Sequence, residues 1–318
     1  MLFVRRKFRN LGISRTAVKV IMNGWRDSTK KQYAIYINKW LNWCEKEKWE
    51  PTEPNITCCI KFLMSLYKLG YGYSALNSAR SALSCIFDDP PIGEHKIICR
   101  FMRGVFNERP TKARYNEIWD VSVVLKMFRK WAPARGLSLQ LLSFKLVTLL
   151  AIVSGQRCQT IHNFNIRDCV LKRTKVVFTI RENLKHNSPK NNDSNIIIPA
   201  YFEDKRLCAV TYFKEYVKRT KPVRNTDKLF ISYVKPNKEV SRDTISRWIK
   251  ITLSKAGINT NIYKAHSTRA AAASAIQSDV DINTILKTAG WSRATTFAKF
   301  YNKTIIEPEK FGKTVLSK

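Results

Sequence analysis

The chain has 318 residues, 44% of them hydrophobic, which is enough for about two domains with buried cores and excludes a disordered polyelectrolyte. The 57 Lys and Arg residues against 24 Asp and Glu leave a formal charge of +33. A folded chain with this excess repels itself unless a polyanion offsets the charge. Nucleic acid is the natural candidate, although charge alone does not separate DNA from RNA or from a ribosomal surface.

The eight cysteines include no CxxC pair, and the four histidines lack metal-ligand spacing. We therefore predict a reducing compartment and no structural zinc. The longest apolar stretch, residues 139–153, contains Lys145 and is too short to span a bilayer. The acid-free start through Arg26 permits an Arg-rich transit peptide, but Ser14 followed by apolar residues at helical spacing favours a short capped helix.

Helical periodicity runs through residues 1–108 and predicts a small bundle with basic faces. Ser28 is the expected cap of a helix that Pro51 and Pro54 interrupt. Further helices are predicted at residues 57–69, from about Ser74, and at about 97–106. The last of these carries Arg100 and Arg103 on its exposed side.

A polar, basic stretch at residues 107–116 contains Pro110 and predicts a linker, which we place at residues 109–117. An amphipathic helix at 121–131 and a buried helix at 139–153 follow. Three short β-rich runs are predicted at 169–171, 176–180 and 195–199. Further helices are expected near residues 205–219, 243–255, 266–277, 281–288 and 293–300. Residues 118–318 thus predict a mostly helical domain with one small antiparallel sheet.

Residues that could take part in a chemical reaction are densest near the C-terminus. His266 and Arg269 lie three apart at the start of an Ala-rich helix, so we expect them to share a face. A His and an Arg at a helix N-terminus make an oxyanion site, reinforced by the helix dipole. The alternative is a capping Ser or Thr with a chance His and Arg nearby.

Three more residues extend this set. Arg157 follows Gly155, where the buried helix ends, and it must leave the apolar layer or be held by partners. Trp291 lies 22 residues after Arg269, and Tyr301 lies ten after that. A tyrosine hydroxyl has a pKa of about 10 and needs nearby cations to react. A single Tyr near a C-terminus is more often structural, so the argument depends on the combination.

In this order and spacing, Arg157, His266, Arg269, Trp291 and Tyr301 resemble the tyrosine recombinase (phage integrase-like) family. The resemblance implies a mainly α fold: an N-terminal helical core-binding bundle at residues 1–108 with a basic arm, the linker, and an α-rich catalytic domain with a small antiparallel sheet. Segments 25–29, 73–80 and 155–157 are similar to recombinases of eukaryotic DIRS- or Ngaro-like retroelements.

The resemblance implies DNA strand transfer without metal or ATP. Tyr301 is the expected nucleophile, Arg157 and Arg269 hold the phosphate, His266 orients it and Trp291 donates a hydrogen bond. The family also places a general-acid lysine between two strands. Lys185 matches best, with Lys190, Lys172 and Lys175 as alternatives. The chain departs from the usual pattern at Thr160, where many members have an acid, and at Trp291, where His is commoner.

The partners implied are double-stranded DNA and further copies of the chain, in a homotetramer on paired sites. The tail at 302–318 would dock on a neighbouring subunit, unless it packs on its own domain. No membrane is expected, and the compartment is the nucleus if the source is eukaryotic, otherwise the cytoplasm. The basic residues predicted to contact DNA are Arg80, Arg100, Arg103, Lys112, Arg114, Lys264 and Arg293.

Three other functions compete with strand transfer. A DNA-binding protein of the same fold without cleavage is the main alternative. A type IB topoisomerase-like enzyme would use the same nucleophile but would need no paired sites. A basic RNA-binding structural protein would leave the ordered Arg, His, Arg, Trp and Tyr set unexplained.

Overall fold

The chain divides into two compact units, Met1–Ala113 and Arg114–Lys318. The structure is a computed structural model that describes residues 1–52, 55–87, 91–111, 115–182, 195–276, 279–291, 294–300, 304–305 and 316, with the backbone only at 296, 299–300 and 304–305. Among these residues, no helix combines the length and the apolar character that crossing a membrane requires.

The first unit consists of helices. They are α1 Leu2–Asn10, α2 Arg15–Asn23, α3 Asp27–Glu47, α4 Ile56–Lys68, α5 Tyr73–Leu83 and α6 Lys96–Glu108. The apolar stripes of these helices meet around Trp40, whose ring lies 5.2 Å from that of Phe62 in an edge-on arrangement. The short capped helix predicted at the N-terminus is confirmed as α2, since the Ser14 hydroxyl accepts a hydrogen bond from the Ala17 amide at 3.3 Å.

Two details of this unit differ from the sequence-based expectation. Helix α3 begins at Asp27 with Arg26 as its N-cap, so the predicted Ser28 cap is wrong and Ser28 lies inside the first turn. The helix also ends before the prolines, because Lys48 adopts a left-handed conformation with φ 57°. Helix α1 was not predicted, since its Arg and Lys residues obscure the apolar spacing.

The second unit is mainly helical, as predicted, with one three-stranded antiparallel sheet whose strands lie side by side in chain order. Its helices are α7 Val121–Lys130, α8 Leu139–Ser154, α9 Cys158–His162, α10 Ala209–Thr220, α11 Arg242–Lys255, α12 Ser267–Ile276, α13 Ile282–Ala289 and α14 Ala294–Phe300. Its strands are β1 Glu117–Ile118, β2 Cys169–Leu171, β3 Lys175–Thr179, β4 Asn195–Pro199 and β5 Thr304–Ile305.

A second pairing joins the two ends of this unit. Strands β1 and β5 pair in parallel, with Glu117 opposite Thr304 and Ile118 opposite Ile305. The pairing was not predicted, because two-residue strands carry no periodicity. It places residues 304–305, the first described part of the tail, against their own unit, while residues 306–315 lie outside the described residues.

The core of the second unit is organised around α8, which is buried along most of its length. Even Lys145 is fully buried there. Its Nζ donates to the Phe128 and Trp131 carbonyls and to the Tyr212 hydroxyl, each at 2.6 Å. These three acceptors link α8 to the end of α7 and to α10. Burial lowers the pKa of Lys145 to about 7.

Lys145 should make stability depend on pH. An unfolded lysine keeps its proton up to about pH 10, whereas the folded chain loses it from about pH 7. Between these values the unfolded state binds more protons, so the free energy of unfolding should rise with pH. Urea unfolding at pH 7 and pH 9, followed by tryptophan fluorescence, should show a smaller rise for Lys145→Met than for wild type. The exposed-lysine control Lys126→Met should behave like wild type; an unchanged slope in Lys145→Met would contradict the assignment.

Candidate active site

The turn after α8 sets the position of Arg157. Gly155 ends the helix in a left-handed conformation with φ 59°, which favours glycine. A Cβ at this position would lie 3.0 Å from the Cβ of Ala289, so the backbone also approaches α13 closely. Both constraints explain why glycine stands here. The chain then turns so that Arg157 becomes the N-cap residue of α9.

Arg269 is the central buried cation of the site. It lies in the first turn of α12 and is only 1% exposed. Its Nη1 donates to the carbonyls of Gly155 and of Ala289, the latter at 3.0 Å. Its Cζ lies 4.4 Å from the centroid of the Trp291 ring, a cation–π contact. One guanidinium therefore joins the C-termini of α8 and α13 to the N-terminal turn of α12.

Two further contacts hold the end of α13. The Gln156 Nε2 donates to the Thr288 carbonyl at 2.7 Å, and the Gln156 side chain is 2% exposed. Gly290 ends the helix in a left-handed conformation, with φ 70°. Trp291, which follows, is 6% exposed and packs against Phe297 with ring centroids 5.2 Å apart. The role of Gln156 was not predicted, although a Gln beside an apolar helix end was a usable signal.

Arg157 differs from Arg269 in its partners. It is half-buried, and its Nη1 is buried without a hydrogen-bond partner among the described residues. Burying a guanidinium N–H without an acceptor is costly, so an anionic oxygen at this position would stabilise it. Thr160, one turn along α9, is buried, and no acid stands there to neutralise Arg157.

His266 lies beside the buried set but is exposed. Helix α12 begins at Ser267, so His266 precedes the helix, whereas Arg269 lies buried in its first turn. That the two side chains share a face stays a prediction. The residues between them, Ser267 and Thr268, are held by hydrogen bonds. The Trp119 Nε1 donates to the Ser267 hydroxyl at 2.9 Å. The Thr268 hydroxyl donates to the Ala265 carbonyl at 2.7 Å. These bonds hold the α12 N-terminus against the start of the unit.

A cysteine nucleophile does not fit this site. Cys158 follows Arg157 directly, and burial raises the pKa of its thiol even though Arg242 and Arg269 lower it. The thiol is therefore protonated at neutral pH.

Several predicted site residues lie outside the described residues. They are Tyr301, Lys185, Lys190, Lys112, Arg114 and Arg293. Tyr301 follows α14 directly and precedes β5 by three residues, which brings the chain on both sides of it into the second unit. Lys185 and Lys190 lie between β3 and β4, whereas Lys172 stands in the turn between β2 and β3.

The remaining predicted DNA contacts are described. Arg100 and Arg103 are exposed on α6. Arg80 is half-buried in α5, with Nη1 4.0 Å from the Cys99 sulfur, so only part of its guanidinium faces solvent. Lys264 lies two residues before His266, and its Nζ donates a hydrogen bond to the Thr260 carbonyl at 2.9 Å. Their role in binding DNA stays a prediction.

The family model that matches this chain is that of the phage integrase family, over residues 126–305. The match runs from α7 to β5 and includes Arg157, Arg269 and Trp291. The second unit has the fold of a tyrosine recombinase catalytic domain, mostly helical with a small antiparallel sheet. Because more than half of the chain is matched, the chain belongs to the phage integrase (tyrosine recombinase) family.

Solved structures share the fold at low sequence identity. The Tn1549 transposon integrase in complex with transposon right end DNA is 11% identical over 99% of this chain and 99% of that one, with a TM-score of 0.60. XerH recombinase bound to palindromic difH substrate is 16% identical over 90% and 77%, with a TM-score of 0.59. A lambda integrase dimer bound to a COC′ core site is 16% identical over 89% and 92%, with a TM-score of 0.56. No curated protein sequence matches significantly.

The close approach of Gly155 to Ala289 predicts a large loss of unfolding free energy when Gly155 is replaced by alanine. Gly155→Ala adds a Cβ 3.0 Å from Ala289 in a left-handed backbone, whereas Gly257→Ala meets nothing within 4 Å at φ 84°. We expect Gly257→Ala to cost about 1 kcal/mol and Gly155→Ala about 2–3 kcal/mol of unfolding free energy. Urea unfolding of both variants checks this. Equal losses would contradict the close α8–α13 contact.

Proposed function

We propose that this chain is a site-specific DNA recombinase that cleaves and rejoins strands through a 3′-phosphotyrosine intermediate. The observation that carries the proposal is the buried Arg157 Nη1, which has no protein acceptor among the described residues. Arg157 lies two residues after Gly155, whose carbonyl accepts a hydrogen bond from the guanidinium of Arg269. Guanidiniums stay charged and offer planar donor pairs to non-bridging phosphate oxygens. Family membership supports this role for both residues.

The reaction assigned to the site conserves the phosphodiester energy. The Tyr301 oxygen attacks phosphorus, and the bond from phosphorus to the 5′ oxygen breaks. The tyrosine proton passes to His266, which lies exposed at the α12 N-terminus. Lys185 protonates the departing 5′ oxygen. A 5′ hydroxyl then attacks the phosphotyrosine and releases Tyr301, so religation requires no ATP.

Cations replace a metal in this scheme. The crowded phosphorane-like transition state carries two negative charges, which fixed protein donors can stabilise in a water-poor site. Arg157 and Arg269 supply charge, and the helix dipole of α12 adds to it. Trp291 packs on Arg269 and keeps its guanidinium oriented.

The proposed partner is duplex DNA, held by both basic units, with a homotetramer on two paired sites. The net charge of +33 supports a polyanionic partner, and membership of the family supports assembly on two paired DNA sites. For the tail, exchange between subunits is proposed only beyond β5, because residues 304–305 pair with β1 of the same chain. We also propose a mobile element of the eukaryotic DIRS- or Ngaro-like type and a nuclear location, from segments 25–29 and 73–80.

The nucleophile is tested by covalent trapping on nicked duplexes taken from the DNA that flanks the coding sequence. Wild type should give a denaturant-resistant protein–DNA band, and Tyr301→Phe should give none while binding DNA equally, because only the hydroxyl is lost. Tyr201→Phe, at an exposed tyrosine away from the site, should behave as wild type. An adduct formed by Tyr301→Phe would refute the assignment. Absence of an adduct from wild type, with DNA bound, would favour the non-cleaving DNA-binding protein.

The general acid is tested by changing the leaving group. Lys185→Ala should slow cleavage of normal DNA by about 10²–10⁴-fold, because a 5′ alkoxide leaves poorly without a proton. A 5′-thiolate needs no proton, so a bridging 5′-thio substrate should restore most of the rate. Lys190→Ala is the matched control and should cleave both substrates normally. Failure of the thio substrate to rescue Lys185→Ala would move the role to another lysine.

A further inference from the structure

A basic pocket of about 810 Å³ lies in the second unit, and none of the candidate active-site residues lines it. It lies between the turn at 132–135, the loop at 205–206 and one face of α10. Its floor contains Tyr212, which contacts Lys145. Lys145 precedes Gly155 by ten residues, or about 15 Å along the helix. The pocket is therefore separate from the candidate active site.

The pocket is preformed. Tyr212 is 1% exposed, and its hydroxyl accepts from Lys145 and donates to the Trp131 carbonyl at 3.2 Å. Arg219 of α10 donates hydrogen bonds to the Ala134, Arg135 and Leu137 carbonyls. These bonds hold the wall formed by the turn at 132–135 against α10. Because these bonds fix the walls from behind, a ligand would find the pocket already shaped.

The rim of the pocket has more cationic side chains than carboxylates that pair with them. Asp204 pairs with Arg129 at 3.0 Å and with Arg206 at 2.8 Å, and Glu215 pairs with Arg219 at 2.7 Å. Among the described residues no carboxylate pairs with the four other cations of the rim, all exposed. These are Arg135, Lys205, Lys214 and Lys218. These four side chains are therefore open to an external anion.

The floor narrows the choice of anion. Pro133, which is exposed, and Ala132, which is half-buried, give it apolar surface, and Ala134 and Tyr212 lie buried beneath them. A free polyphosphate would leave this apolar surface unused. A DNA duplex could place phosphates on the rim, but a phosphate backbone would also leave the apolar floor unused. An acidic peptide with apolar side chains satisfies both the rim and the floor.

The spacing of the rim agrees with an extended peptide. Lys214 and Lys218 stand one turn apart on α10, about 6 Å. In an extended strand, side chains on the same side repeat every ~6.6–6.8 Å, and those between them point to the opposite side. Alternating acidic and apolar residues therefore present carboxylates to Lys214 and Lys218 and apolar groups to the floor.

We propose that this pocket binds an acidic, partly apolar peptide segment of a partner protein while the other end of α8 serves the strand-transfer site. Rim charges are solvated and each contributes little, so binding should be modest and salt-dependent. The occupancy of the pocket does not require that the chain cleave DNA.

The test uses the full chain and a fluorescein-labelled peptide in which Glu and Leu alternate, followed by fluorescence polarisation near physiological salt. We expect Lys214→Glu/Lys218→Glu to weaken binding about tenfold. Lys126→Glu/Lys130→Glu is the matched control, with the same charge change and helical spacing on α7 outside the pocket. Equal weakening in both variants would mean general attraction to a basic protein and would overturn the proposal.

A second peptide tests the floor. Replacing every Leu by Ser keeps the charge, and this peptide should bind about tenfold more weakly if apolar side chains occupy the floor. Equal binding of the two peptides, or stronger competition by inositol hexakisphosphate than by the unlabelled Glu–Leu peptide, would assign the pocket to small anions instead. Photocrosslinking from a benzoylphenylalanine in the peptide should label the segments at 132–135 or 211–218; labelling elsewhere would contradict the site.

Discussion

The guanidinium of Arg269 is the contact on which the rest of the catalytic unit depends. It is buried, and two of its acceptors are backbone carbonyls at the C-termini of α8 and α13. The C-terminal ends of helices carry partial negative charge, so a cation is well suited to join them. Trp291 covers one face of the same group. If this cation were removed, two helix ends would retain unpaired carbonyls and the turn that carries Arg157 would lose its support.

The two arginines of the site consequently have different tasks. Arg269 is held by protein acceptors and organises three helices, whereas Arg157 presents a buried N–H that no described residue satisfies. A metal-free phosphoryl transfer needs both properties, because donors must be fixed before the charge develops and must also remain available to it. Gln156 and Gly155 support both arginines because they hold the turn that carries Arg157 against α13.

Helix α8 connects the candidate active site to the region of the basic pocket. Its C-terminal end leads into the Arg157 turn, and its second turn carries Lys145 beneath the basic pocket. Because the helix is buried on nearly every side, it cannot bend to accommodate a change at either end without disturbing the core. The two surfaces thus share a rigid support while their lining residues stay separate.

Most elements of the second unit could be predicted from local sequence patterns. The apolar run of α8, the β-rich runs of β2 to β4 and the spacing from Arg157 to Trp291 are visible without a fold. The family resemblance then joined these residues into one site. Tertiary structure alone decided which helix ends meet, and so gave Arg269 its carbonyl acceptors and Gln156 its contact with Thr288. It also paired β1 with β5 across the unit. Such contacts depend on groups distant in the chain, and local patterns carry no information about them.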